Sequence, residues 1–214
     1  MGGALPSIWP TKLLMNLFPA QRRRDVVQAA LWSLPQVAGR LVEISGSAAT
    51  ASLTVAFGLV LEAQERGEAV GWVTSIENFF YPPDVAQGGV DLTGLVVVRV
   101  RVESVARAGE KLLRSGGFGL IVLDLGTADI PMPLQTRLAG LAHRHHTALV
   151  CLTIKDARAF SLGSLISLRV HAEKKRISED HFTCRLRVLK DKHRGPTWGH
   201  EELCHGAARL CSSC

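Results

Sequence analysis

Near its C-terminus the chain carries His200, Cys204 and His205, then Cys211-Ser212-Ser213-Cys214, a C-x-x-C. Thiolates and imidazoles at such spacing can hold a tetrahedral Zn²⁺ or form a redox pair. Structural zinc sites set two such knuckles against each other; only one is present, so Cys204, His205, Cys211 and Cys214 are read as part of an ordinary tail, with no metal expected. His143, Arg144, His145 and His146 close a helical run, where the helix dipole favours cations and adjacent residues do not face one another. Ser45 and Ser47 lack the G-x-S-x-G elbow of a hydrolase. The strongest charge signal lies late in the chain: residues 166–194 hold nine basic residues against four acidic ones. Lys174, Lys175, Arg176, Arg185, Arg187 and Lys190 are candidates there to contact phosphates or an acidic partner, as are Arg22, Arg23 and Arg24 at the start of an earlier helical run.

A second constellation follows Leu41-Val42-Glu43-Ile44. The stretch Gly46-Ser47-Ala48-Ala49-Thr50-Ala51-Ser52-Leu53 sits between a strand and a helix, where an α/β nucleotide-binding protein keeps its phosphate loop. That loop reads G-x-x-x-x-G-K-[S/T]: backbone N–H groups cradle phosphates, the lysine meets the β/γ-phosphates, and the hydroxyl holds Mg²⁺. Here Gly46 is kept, Ala51 replaces the second glycine, Ser52 the lysine and Leu53 the hydroxyl. Without the lysine the cation facing the most charged part of the ligand is gone, and leucine cannot coordinate a metal. The expectation is no nucleotide cofactor and no turnover. A genuine but atypical nucleotidase would have to rely on Glu77 and Asp124, two acids at strand ends.

The elements that position these residues alternate. Strands are expected at Leu41 to Ile44, Ala69 to Thr74, Leu95 to Val100, Leu120 to Asp124 and Thr147 to Thr153. Helices are expected at residues 20–34 (stopped by Pro35), Thr50 to Arg66 (closed by Gly67), Glu103 to Arg114 (closed by Gly116-Gly117) and from Pro131 to about His146. The valine run at 95–100 suits a strand buried on both faces. Strands separated by such helices imply βαβ units and a mostly parallel sheet. After Leu162 the period becomes two: Ile166, Leu168, Val170 and Ala172, then Phe182, Cys184, Leu186 and Val188, an antiparallel extension at the sheet edge.

With 214 residues, the chain supports one domain and buries a core without disulfides or metal. Mean hydropathy is +0.16, yet no apolar run is long enough to span a bilayer, so no membrane partner is expected. Five cysteines, an odd number, suit a reducing cytoplasm. Residues 1–100 hold 7 Lys+Arg against 8 Asp+Glu, leaving 18 against 11 for the remainder. The basic pole therefore belongs to the C-terminal half. Residues 1–38 read as an N-terminal arm and helix, 39–198 as the core and 199–214 as a tail. The arm carries Ile8, Trp9, Leu13, Leu14, Leu17 and Phe18 without a sustained period, an apolar stretch that must dock on its own core, a partner or a second copy.

In order and spacing, residues 41–77, the segment 116–125 and the closing hairpin resemble the ATPase core of bacterial RecA. "LVEISGSAATASLTVAFGLVLEAQERGEAVGWVTSIE" is similar to the phosphate loop, following helix and catalytic glutamate. "LLRSGGFGLIVLDLG" resembles the strand ending in the metal-side aspartate, and "SLISLRVHAEKKR" with "CRLRVLKDKHRGP" resembles the last core strands. The resemblance covers roughly residues 40–200 and implies a RecA-like, mostly parallel twisted sheet flanked by helices, with an antiparallel C-terminal extension. Glu77 then matches the water-activating glutamate and Asp124 the aspartate near Mg²⁺. Ile154, or Thr153, stands where the family has its phosphate-sensing glutamine. The two DNA-binding loops are short: 127–133 and 155–163. Phe18-Pro19-Ala20 departs from the Phe-x-x-Ala oligomerisation motif. "GVDLTGLVVVRV" and "GEKLLRSGGFGLIVLDL" are most similar to the ImuA family. That implies a non-catalytic, SOS-regulated partner of RecA and of an ImuB-type, Y-family polymerase-like subunit, cytoplasmic or nucleoid-associated, and able to form a homo-oligomer. The other reading, from the residues alone, is an ATP-independent DNA-binding module that uses the basic hairpin; for the accessory protein itself, weak, salt-sensitive DNA binding is expected.

Overall fold

Every residue of β1 (Leu41–Gly46) is buried, because parallel strands flank it on both sides. β5 (Ala148–Ile154) pairs with one edge and β6 (Leu168–Arg176) with the other. The computed structural model describes residues 31–46, 51–77, 86, 88–178 and 181–205. The remaining strands are β2 (Val70–Ser75), β3 (Leu95–Val100), β4 (Leu120–Gly126), β7 (His181–Asp191) and β8 (Gly199–His205). Together they form one eight-stranded sheet in the order β3-β2-β4-β5-β1-β6-β7-β8. The pairs from β3 through β6 are parallel; β6 with β7 and β7 with β8 are antiparallel.

Four helices belong to the described residues: α1 (Leu34–Val37), α2 (Ser52–Glu65), α3 (Val105–Ser115) and α4 (Met132–His145). A 3-10 turn at Val102–Ser104 leads into α3. α2 packs Val55, Ala56, Leu59 and Val60 on one sheet face, against Val42, Ile44, Trp72, Val122 and Val150. The Phe57 ring lies flat on Trp72, with centroids 4.5 Å apart. On the other face, α3 and α4 bring Val105, Leu113, Leu134 and Leu138 against Leu41, Val73, Ile121, Leu123 and Leu149. The period-two alternation of each strand is thus divided between two cores, the two-layer solution that an α/β sheet requires. Gly67 (φ +74°) and Gly116 (φ +67°) end α2 and α3 in the left-handed region, where a side chain would be strained.

The hairpin is joined to the first strand by a buried ion pair. Arg40 Nη2 lies 2.6 Å from Asp191 Oδ1, while Arg40 Nε donates to Ser167 Oγ (3.1 Å) and Nη1 to the Gln36 carbonyl (3.2 Å). Trp198 Nε1 and the His193 N–H donate to the same carboxylate, at 3.0 and 2.9 Å. The start of β1 and the end of β7 therefore share one satisfied polar cluster.

Four expectations need correction. β3 is an edge strand, with Val96 45% and Val97 37% exposed; a valine run signals strand propensity, but the neighbours decide burial. Pro35 does not stop a helix but lies in the first turn of α1, where its missing N–H is harmless; residues 20–30 lie outside the described residues. Gly199–His205, expected within a tail, forms β8 and covers β7. Arg185, Arg187 and Lys190 consequently lie on an inner strand of the extension, not its edge.

Candidate functional site

The connections from β1 through α2 and from β4 through α4 leave toward opposite sheet faces. In an open parallel sheet, ligands bind outside the carboxyl ends of strands at such a divergence. Gly46, Asp124, Glu77 and Ile154 all fall at that edge. Gly46 closes β1 opposite Ile154, and its carbonyl accepts the Lys155 N–H at 3.1 Å. Asp124 stands near the end of β4, and its Oδ2 accepts a hydrogen bond from Thr74 Oγ1 at 2.8 Å. Glu77 follows β2, is exposed, and donates its N–H to Ser75 Oγ at 3.2 Å. The sheet thus brings the two acids to one edge.

The described side chains at that edge are largely apolar or already engaged. Residues 47–50 of the turn lie outside the described residues. Ala51 is fully buried at the start of α2, and Ser52 is buried, whereas Leu53 is 49% exposed. The first turn of α2 holds no side-chain cap. Ile154 is 51% exposed at the end of β5, and Ile76 is 52% exposed after β2. The nearby cation, Lys155, pairs with Asp129 at 3.2 Å. Thr153 is buried and donates to Glu43 Oε1 at 3.2 Å.

Glu43 is the polar hub that the sequence reading missed. It is fully buried in the middle of β1. Besides Thr153, its Oε2 accepts from Ser161 Oγ (2.7 Å) and the Leu162 N–H (3.1 Å), and Arg169 Nε lies 3.6 Å away. The available signal was an acid inside an otherwise apolar strand: such a group needs partners, because burying an unpaired charge is costly. Arg169, an alternating outward position in the sequence, is instead 95% buried (5% exposed), and its guanidinium caps the carbonyls of Ala159 and Asp156. Together these bonds hold the 155–163 loop against the sheet.

The basic hairpin is divided by its register. β7 sets Arg187 opposite His171 and Arg185 opposite Glu173; Arg185 also lies 4.0 Å from Glu201 of β8. Lys175, Arg185 and Arg187 are exposed. The Lys174 ammonium stands 4.0 Å over the Phe182 ring, and Arg176 Nε donates to the Ser178 carbonyl at 3.0 Å. Lys190 departs from expectation: its Nζ donates to the carbonyls of Ser164 (3.3 Å) and Gly163 (3.5 Å). Burial, and next the Lys192 charge, push its pKa down. It acts as a loop clamp rather than a free cation. Arg22, Arg23, Arg24 and the arm residues Ile8, Trp9, Leu14, Leu17 and Phe18 lie outside the described residues, as do Cys211 and Cys214. Cys204 and His205 are in β8. Among the described residues no group of three or more His, Cys, Asp or Glu could hold a metal, and no helix is long and apolar enough to cross a membrane.

Comparison with known proteins follows the same outline. The chain is 35% identical over 128 residues to protein RecA of Clostridium acetobutylicum, covering 59% of this chain and 36% of that protein. It is 34% identical over 94 residues to protein RecA of Clostridium botulinum, covering 44% and 26%. With protein RecA of Heliobacterium modesticaldum it shares 28% identity over 166 residues, covering 69% and 47%. The chain is RecA-like. It spans about a quarter to a half of the length of these relatives. No protein-family model matches it. The α/β sheet, its parallel core and its antiparallel C-terminal strands agree with that relationship.

Proposed function

We propose that this chain is a non-catalytic RecA-like accessory protein in SOS, DNA-damage-induced mutagenesis, acting by binding RecA and an ImuB-type polymerase subunit during translesion synthesis. The observation that carries the non-catalytic part is the pair Leu53 and Ile154. Both are half-exposed at the carboxyl edge of the sheet, where a nucleotide would need a hydroxyl ligand and a polar phosphate sensor. The acids nearby do not offset this, since Asp124 is engaged by Thr74 and carboxylates alone repel phosphate. What supports a binding role is the apolar character of that edge and of the 1–20 arm. Burying one such large side chain is worth about 1.5–3 kcal/mol.

A second reading, an ATP-independent DNA-binding module, is favoured by the exposed Lys175, Arg185 and Arg187 of the extension. Phosphate contacts make affinity fall steeply with salt, so one experiment separates the two. The full chain is captured from damaged cells and its partners identified by mass spectrometry, beside a salt titration on single- and double-stranded DNA. The expected result is specific recovery of RecA and a polymerase subunit, weakened at least tenfold by deleting residues 1–20. DNA binding is expected to be weak and largely gone at physiological salt, and to fall further in Arg185→Ala/Arg187→Ala. Tight, salt-resistant DNA binding with no protein partner would support the second reading; partner recovery unchanged by the deletion would move the contact off the arm.

A further inference from the structure

Phe160 is 95% exposed on a loop that is fastened closely on both sides of it. Leu162 is held at both backbone groups: its N–H donates to Glu43 Oε2 (3.1 Å) and its carbonyl accepts from Gln135 Nε2 (2.7 Å). The preceding Ala159 carbonyl is capped by Arg169. An aromatic side chain presented by a pre-ordered loop loses little conformational freedom on docking, and aromatic anchors of this kind dominate interface energetics.

The same loop borders a cleft. Gln135 Nε2 also donates to the Ile130 carbonyl at 2.7 Å, and Lys155 pairs with Asp129, a residue of the cleft wall. Between the starts of α3 and α4 this cleft has a volume of about 190 Å³ over Ala106, Leu125 and Leu134. An apolar cavity of about 150 Å³ is enough to take up benzene. The charges are complementary in kind: Asp156 and Arg158 flank Phe160, while Glu103 and Arg107 stand at the cleft. All four are exposed and have no ion pair among the described residues. A projection beside a recess, each with one charge of either sign left without an ion pair among the described residues, is what a self-complementary two-fold contact needs.

We propose that the occupant of this cleft is a second copy of the chain, in a two-fold dimer where each Phe160 enters the other copy's cleft. The contact does not depend on the partners assigned above. Sedimentation equilibrium of the full chain tests it, with thermal melts as a folding control. The expected result is a reversible dimer for the parent, with self-association at least tenfold weaker in both Phe160→Ala and Arg107→Glu, and retained in Phe160→Trp. Both substituted positions are exposed, so unchanged melting is expected. A monomeric parent would overturn the proposal, as would a dimer that survives Phe160→Ala. Loss of single-stranded DNA binding in Phe160→Ala with unchanged self-association would overturn it in favour of a nucleic-acid contact at this loop.

Discussion

Glu43→Ala lowers the unfolding free energy by about 3–5 kcal/mol, the usual cost of removing one partner of a buried ion pair. The loss has two sources. Arg169, 5% exposed, is left as a buried cation 3.6 Å from a missing carboxylate. The Leu162 N–H and the hydroxyls of Ser161 and Thr153 lose their acceptor as well. Against a total stability of about 5–15 kcal/mol for a domain, that is a large share of the margin. Glu43→Gln keeps an amide oxygen for those donors and removes only the charge, so its destabilisation is smaller. Urea midpoints for the two variants check the order, and limited proteolysis within 155–163 reports the freed loop. Equal midpoints for Glu43→Ala and the parent would show that the carboxylate does not hold this loop.

Asp191 gives the second large effect, and it depends on pH. Burial pushes its pKa up, but the His193 N–H, the Arg40 guanidinium and the Trp198 indole outweigh that and hold it below the usual carboxylate range. A carboxylate lowered in the folded state contributes stability at pH values above its unfolded pKa, about 3.9, and loses it as pH falls through the lower folded value. Asp191→Ala is therefore expected to cost about 3–5 kcal/mol at neutral pH by orphaning Arg40. The difference between parent and variant should shrink as pH drops below about 4. Denaturant midpoints measured from neutral to acid pH check this. A constant difference throughout would remove the charge from the explanation.

The parallel core was legible where a short apolar run is followed by a helical period and a glycine stop, as in β1–α2 with Gly67 and β3–α3 with Gly116. The alternation at 166–172 and 182–188 likewise announced the hairpin, since Val170, Ala172, Cys184 and Leu186 are all buried. Edge position was not legible: Val96 and Val97 are of the same type as the buried Val150 of β5, and only strand order exposes them. β8 was hidden because His200-Glu201-Glu202 reads as polar chain, although a strand paired on one side tolerates charges. At the candidate site, Glu77 and Asp124 are singled out through the resemblance to RecA, and the sheet brings both to one edge. The roles of Glu43, Arg169 and Lys190 were not legible, because they come from residues more than a hundred positions away or from a loop that only the fold brings back. A lone charge in an apolar run asks for a partner without naming it.

The non-catalytic reading proposed above requires that the folded chain neither binds nor hydrolyses ATP. Melting of the full chain with and without saturating ATP and Mg²⁺, beside a phosphate-release assay, tests it most directly, because a ligand that binds the folded state must raise its stability. No shift in Tm and no phosphate release are expected. Ser52→Lys alone is expected to give no rescue, since Ala51, Leu53 and Ile154 remain. An ATP-dependent rise of several degrees, or measurable turnover, would contradict the non-catalytic reading.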